Sequence, residues 1–328
     1  MSVWTRRAAL STAFVIASVI AGPASAQTKL KWAHVYEVAE PYHTQAVWAA
    51  GEIKKLTNGK YDIEVFAASQ LGNENQINEG LGLGTVDIIY TGTSFAGSVY
   101  KPLAISGAPF MLRDFDHWKA YRDSKLFREL AKGYEDKTRH KVVTLTYYGE
   151  RMVTANKEIK KPEDMKGMKL RVPPAPLYLM LAKSVGANAT PIAFAEVYLA
   201  LQQGTVDGQE NPLPTIMAKK FYEVQSHVML TGHITESLLT IVGSHVWAKL
   251  TDPEKKIFED TLSQAAAKAS DEIRTSEQKI ADELRKLGKT VVQVDREAFR
   301  KAAVPLHNDA SAGAGWTQAQ YDELQKLK

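Results

Sequence analysis

The chain has 328 residues, no cysteine, 45% hydrophobic residues and a formal charge of +4 from 41 basic and 37 acidic side chains. That length suits two domains, and the composition is ordinary for a globular protein, which excludes collagen-like, disordered and disulfide-scaffold classes. Lack of cysteine removes thiolate zinc sites, iron–sulfur clusters and cysteine nucleophiles, and so even a charge balance does not suggest a nucleic-acid binder.

Residues 1–26 read as a secretory signal peptide. Arg6 and Arg7 form a basic start, an apolar run of about 13 residues follows from Ala8, and Ala24-Ser25-Ala26 is a small-residue cleavage site before Gln27. A membrane anchor needs about 20 apolar residues, and this run stops at Gly22-Pro23. The arginine pair resembles a twin-arginine signal, but the pattern around it is weak and Sec export is expected. Removing the leader takes away Arg6 and Arg7 and leaves a formal charge of +2. The mature chain is expected to be exported and soluble, and long enough to be stable without disulfides.

Short apolar strands then alternate with helical stretches. Residues 29–35 predict a strand, 41–56 a helix stopped by Asn58-Gly59, 61–66 a strand, 72–83 a short helix and 86–90 a third strand. A second set follows: strands over 141–148, 169–172 and 206–209, helices over 177–185 and 194–203, and a returning strand over 238–244. This alternation predicts an α/β fold with a largely parallel sheet. Thr251 and Glu254 form a capping box with Pro253 in the first turn, and apolar residues recur at helical spacing from Phe258 to Leu287. Such a helix spans roughly 50 Å, more than one small domain. Its alanine-rich apolar face lacks a strict heptad, so it is expected to bridge two lobes.

Motif chemistry is mostly negative. There is no H-E-x-x-H, no P-loop, no G-x-G-x-x-G and no G-x-S-x-G, and the eight histidines form no zinc pattern. Cation placement is more informative. Arg171 lies near the end of a short strand and Arg151 follows the strand ending at Tyr148. Open α/β sheets bind ligands beyond the carboxyl ends of strands, and two arginine forks there suit a carboxylate. A plainer reading pairs each arginine with a nearby Asp or Glu.

Several stretches carry a family resemblance: Ser69-Gln70-Leu71-Gly72, Gly84-Thr85-Val86-Asp87, Gly149-Glu150-Arg151, the run from Asp164 to Pro173, Pro191 to Gln202, Val206-Asp207-Gly208-Gln209-Glu210-Asn211-Pro212, and Lys220-Phe221-Tyr222-Glu223-Val224. In this order they resemble the solute-binding component of TRAP transporters, the DctP-type family, over nearly the whole mature chain. The resemblance implies a two-lobed periplasmic binding protein with hinge strands and a long helix crossing both lobes. It further implies capture of a small organic acid for a sodium-driven permease of small and large membrane subunits. It implies no catalysis, no cofactor, no metal and a monomer. The corresponding division places 27–148 and 237–276 in the first lobe and 149–236 and 277–328 in the second.

Residue roles follow from the resemblance. Arg171 matches the signature arginine that salt-bridges the ligand carboxylate. Arg151 matches a second basic position on the same group, and Asn211 a polar contact that helps fix it. Phe194 matches an aromatic residue beside the ligand. Glu74 lies near a position that reads hydroxyls or an amine, while Thr91 and His34 are further first-lobe choices. Each has a duller reading: Phe194 as core, Glu74 as a first-turn charge, His34 as a satisfied buried histidine, Asn211 as a turn former.

Departures from the sialic-acid branch narrow the ligand. Gly92 and Phe95 stand where that branch has an acid and a base, and Pro173-Pro174 where it has an asparagine. With Tyr148, Phe194 and Trp32 nearby in the pattern, a smaller or partly apolar acid is expected. The choices are a C4-dicarboxylate, a 2-oxo or 2-hydroxy acid, an aromatic acid or a uronate. Two rival classes stay open from sequence: an exported enzyme using Glu74 and His34, and the ligand reader of a membrane sensor.

Overall fold

The computed structural model describes residues 27–328; the leader reading over 1–26 lies outside the described residues. In chain order the strands are β1 Thr28–Ala33, β2 Tyr61–Phe66, β3 Ile88–Gly92, β4 Lys141–Ala155, β5 Lys169–Val172, β6 Asn188–Pro191, β7 Gly208–Pro212, β8 His227–Met229, β9 Thr235–Val242 and β10 Thr290–Val292. Across the sheet they run β2-β1-β3-β9-β4-β7-β5-β6, with β8 joining β4 to β10.

Two parallel groups make the two lobes. β1 lies between β2 and β3, all parallel, and β5 lies parallel to both β6 and β7. β9 and β4 are antiparallel to their neighbours, so the sheet is mixed rather than largely parallel. The reason is connectivity. These two strands carry the chain from one lobe to the other and back, and a return stroke beside a parallel set must run against it.

β4 is the main crossing. Residues 141–150 pair with β9, and residues 151–155 pair with β7 and β8. The sequence pattern ends this strand at Gly149, but the structure carries it to Ala155. Gly149 is passed by a register shift and a φ of +116°, and an added Cβ there would lie 2.8 Å from Pro212 Cβ. Glycine therefore permits the strand to bend without breaking.

The long helix, Asp252–Lys286, holds the crossing from behind. Its capping box forms as the spacing predicts, and its Glu254 also binds Lys60 at 2.6 Å. Phe258 meets Tyr61 of the first lobe edge-on, with ring centroids 5.4 Å apart. Further along, Ser270 Oγ accepts from Tyr147 N at 2.9 Å, and Glu277 accepts from Glu150 N at 2.8 Å. The helix thus grips β4 on both sides of Gly149. All eight residues of β9 are buried, which fits a strand covered on both faces. No helix among the described residues is long and apolar enough to cross a membrane.

Candidate functional site

Side chains from β4, β5, β7 and the helix after β2 come together, with Glu74 close enough to Arg171 and Arg151 to feel both charges. Arg171 lies on β5, Arg151 on β4 just past the bend, Asn211 on β7, and Glu74 opens the helix Glu74–Leu83, whose first turn Asn73 caps. The lobes are closed over these groups: Arg151 and Arg171 are only 2% and 1% exposed.

The two arginines are not equivalent. Arg171 donates from Nε and Nη2 to the carbonyl of Ile192, at 3.0 and 2.7 Å. That double contact fixes the plane of the fork. Its Nη1 is buried with no partner. Burial pulls the Arg171 pKa down to about 10, opposed by the charges of Glu210 and Glu74. The group remains a cation at neutral pH, and neither N–H of its Nη1 has a partner in the protein.

Arg151 has protein partners on all three nitrogens. Nη2 donates to Glu210 Oε1 at 2.8 Å and to the Glu210 carbonyl at 2.7 Å; Nε also donates to the Glu210 carboxylate, and Nη1 lies 3.5 Å from Glu236 Oε2. Its fork lies over the Tyr178 ring at 5.1 Å and the Tyr148 ring at 5.9 Å. Burial alone would disfavour the charge, but Glu210 beside it outweighs that and drives the pKa well above the usual arginine range. His233 Nε2 is 3.0 Å from the same Glu210 carboxylate. An ionised carboxylate only accepts, so Nε2 carries the proton, and Nδ1 accepts from the Thr231 hydroxyl at 2.8 Å. Burial would raise Glu210, yet Arg151 and His233 bring it down to about 2.

The remaining sequence-predicted residues divide. Asn211 joins the cluster: its Oδ1 is 3.4 Å from both Arg151 Nη2 and the Tyr148 hydroxyl, and its Nδ2 donates to Gln209 at 2.6 Å. Phe194 packs with Tyr36 and Phe221, at centroid distances of 6.2 and 6.3 Å. Glu74 is buried and its Oε2 has no partner. Burial raises its pKa to about 7, against the pull of Arg171 and then Arg151. Thr91 stands behind it, accepting from Asn78 Nδ2 at 2.8 Å, while the same amide nitrogen holds the Glu74 carbonyl at 2.7 Å. His34 turns toward His43 at 3.1 Å and accepts from Tyr36 N at 3.2 Å; burial first, then His43, bring it down to about 3. It is a neutral support for the turn that presents Tyr36. Trp32 packs on Tyr90 at 5.0 Å in the first-lobe core. Among the described residues no group of three or more His, Asp or Glu side chains could hold a metal ion.

Among the described residues, Arg171 Nη1 and Glu74 Oε2 are the buried unpartnered atoms that belong to charged groups. One is a donor and one an acceptor, presented from opposite lobes. A donor and an acceptor left buried in this way can both be satisfied by one small polar ligand.

The family model for bacterial extracellular solute-binding proteins, family 7 (DctP), matches residues 32–313. The chain belongs to the DctP family. It is 32% identical over 295 residues to the sialic acid-binding periplasmic protein SiaP of Vibrio cholerae, covering 90% of this chain and 92% of that protein. Among solved structures, a TRAP periplasmic solute-binding protein from Polaromonas sp. JS666 bound to D-erythronate superposes with a TM-score of 0.87 at 32% identity, covering 92% and 99% of the two chains. Another from Sulfurospirillum deleyianum with bound succinate gives 0.83 at 27% identity, covering 92% and 99%.

In this DctP-family chain several residues of the same buried cluster escape motif reading. Glu236 is the one acid in the otherwise uncharged β9, a signal that was present but is not a motif. Tyr36, Tyr42 and Tyr178 give no signal at all, because tyrosine is an ordinary core residue. A second buried network ties the lobes beside the site. The Tyr42 hydroxyl and Thr215 Oγ1 (2.7 Å) both reach Glu40 Oε1, Thr215 is 3.1 Å from the Tyr148 hydroxyl, and Glu37 N donates to Glu40 Oε2 at 2.7 Å. Glu40 and Tyr42 lie between β1 and β2, and Thr215 follows β7, so the network joins the two parallel groups of strands.

Burial raises Glu40 to about 7, against the hydrogen bonds from Tyr42 and Thr215. Its folded pKa lies above its unfolded one, so its contribution to stability is complete below the unfolded value and is lost as pH rises through about 7. Glu40→Gln removes this loss. The stability of the variant relative to wild type is expected to rise by up to roughly 3 kcal/mol between pH 4.5 and 8. Denaturant titrations of both proteins at several pH values measure it, and a pH-independent difference contradicts it.

Proposed function

We propose that the chain captures a small organic acid in the periplasm and delivers it to a TRAP-type permease of small and large membrane subunits, as a monomer that binds without turnover. The observation that carries this is Arg171: a buried guanidinium, oriented by two bonds to Ile192, with both N–H groups of Nη1 left for a carboxylate. The names of the relatives support the ligand class. Export would follow cleavage after Ala26. The lobes would divide at 27–148 plus 237–276 and 149–236 plus 277–328, with the last helix reaching back to the first lobe through His117 and Leu324.

The open form presents Arg171 and Asn211 on the second lobe, and the acid docks there first. Glu74 and Tyr36 then approach from the first lobe and the bend at Gly149 closes. Expelling water lowers the local dielectric and strengthens the arginine–carboxylate pair. The acid drives closure because it meets both lobes only in the closed form. The ligand choices are a C4-dicarboxylate, a 2-oxo or 2-hydroxy acid, an aromatic acid or a uronate.

A thermal-shift screen of the mature chain over organic acids, followed by calorimetry and NMR of the recovered ligand, tests the reading. One acid class should raise the melting temperature, bind one to one and come back unchanged. Absence of any acid that binds, or conversion of the acid, refutes it.

A further inference from the structure

We propose that Thr215 is a positioning residue for acid capture: its hydroxyl fastens the two sides of the cleft to each other in the closed form, and so holds the acid in place without touching it. The inference rests on the capture function and the lobe division proposed above.

Thr215 lies in the first turns of the short helix Leu213–Ala218, which starts at Pro212 directly after β7. A threonine inside a helix ordinarily turns its hydroxyl back to the carbonyl four residues earlier or out to water. Here the residue is fully buried and its hydroxyl bonds across to distant segments. It donates to Glu40 Oε1 at 2.7 Å, and the hydroxyls of Tyr42 and Tyr148 lie at 3.0 and 3.1 Å. A hydroxyl has one proton and two lone pairs. The proton goes to the carboxylate and the lone pairs face the two tyrosines, so nothing is left for a ligand.

All three partners stand on the other side of the proposed division. Glu40 and Tyr42 lie between β1 and β2, and Tyr148 precedes the bend at Gly149 in the half of β4 that pairs with β9. Closing forms these contacts and opening breaks them. When the sides part, water can serve Glu40 and Tyr148; in the closed form Thr215 serves both. Removing the hydroxyl therefore spares the open form and burdens the closed one, where a carboxylate and a tyrosine hydroxyl each lose a buried partner. The tie also lies beside the acid's contacts, because the Tyr148 hydroxyl is 3.4 Å from Asn211 Oδ1.

Two other contacts join the same sides and are weaker. Lys219 Nζ is 2.8 Å from Glu37 Oε1, but with side chains 18% and 26% exposed the pair is partly wet and worth little. Leu177 N donates to Ser94 Oγ at 3.1 Å, a bond between neutral groups. The bond from Thr215 reaches a buried carboxylate, and hydrogen bonds to ionised groups are roughly twice as strong as neutral ones.

Calorimetry and stopped-flow fluorescence on the mature chain compare wild type with Thr215→Val and Thr215→Ser at pH 8, where Glu40 is mostly ionised. The probes are succinate, pyruvate, lactate, benzoate and D-glucuronate, one from each ligand class above, and the tightest binder of wild type is carried through. Should none of them bind, the tightest acid of the wider screen takes their place. Valine has nearly the shape of threonine and lacks the hydroxyl, while serine keeps it. Thr215→Val should weaken binding at least about tenfold through faster dissociation, with association within about twofold of wild type, because docking precedes closure. Thr215→Ser should stay within about threefold of wild type. A merely structural role would lower the melting temperature and the active fraction but leave the dissociation rate of the active protein unchanged. A loss below tenfold, a loss carried by association, or a serine variant outside threefold overturns the inference and leaves the capture function standing. If Thr215→Val does not fold, Thr215→Ala is held to the same limits. Absence of any acid that binds overturns both.

Discussion

Arg171→Ala is expected to weaken acid binding by at least about 100-fold, a loss of 3 kcal/mol or more, because the ligand carboxylate would be buried without its partner. The size of the effect follows from two features. The guanidinium is fully desolvated, so its pairing with an anion is not screened by water. Its plane is set in advance by Ile192, so little rotamer entropy is lost when the ligand arrives. Arg171→Lys keeps the charge but loses the fork and the link to Ile192, and should fall between wild type and alanine. Calorimetry on wild type and both variants, with circular dichroism to check folding, measures the series. Unchanged affinity in Arg171→Ala would remove Arg171 from the site.

Glu210→Gln is expected to destabilise the fold rather than merely weaken binding, by about 3–5 kcal/mol at neutral pH. Glu210 is the main counter-charge of Arg151, which lies at the point where β4 passes from one lobe to the other. Glutamine leaves that buried cation with Glu236, 3.5 Å from Nη1, as its remaining close counter-charge, and His233 loses a charged acceptor. The pH dependence has a definite sign. The folded pKa of Glu210, about 2, is below the unfolded value, so its contribution is complete above the unfolded value and is lost as pH falls through about 2. The stability gap between variant and wild type should therefore be full at pH 7 and narrow toward pH 3. Urea unfolding at both pH values checks this, and a gap of equal size at both would show that Glu210 acts by packing instead of charge.

These two expectations differ because the two arginines differ, and that difference was not legible in the chain. Both lie near strand ends, both are single basic residues, and both match the family pattern. The bidentate contact of Arg151 with Glu210 joins residues 59 positions apart, through the antiparallel pairing of β4 and β7. Glu236, 85 positions away, arrives on another strand. No local spacing rule encodes such a meeting. The same holds for Tyr42, Glu40 and Thr215, which touch across 175 positions.

Periodicity and punctuation were enough for much else. The helix Pro41–Leu56 and the strands Tyr61–Phe66 and Lys169–Val172 lie where apolar spacing and turn residues put them. The long helix runs Asp252–Lys286, between the capping box and Gly288. These signals are local: hydrogen-bond caps, glycine stops and the 3.6 or 2.0 repeat all act within a few residues. The continuation of β4 past Gly149 was missed because a glycine in a strand usually signals an end. Here the bend it permits is held by Glu277 and Pro212 from distant segments.

Composition and motif order settled the class of protein: two lobes, a bridging helix, cations placed for an anion. The folded structure leaves Nη1 of Arg171 without a protein partner and gives every nitrogen of Arg151 one. Arg151 and Arg171 entered as a pair of positive charges waiting for a ligand, but charge in a protein interior is defined by its neighbours. Glu210 and Glu236 neutralise Arg151, while Ile192 only orients Arg171. Electrostatic partnership depends on distances between side chains far apart in the chain, and those distances exist only once the strands have been assembled.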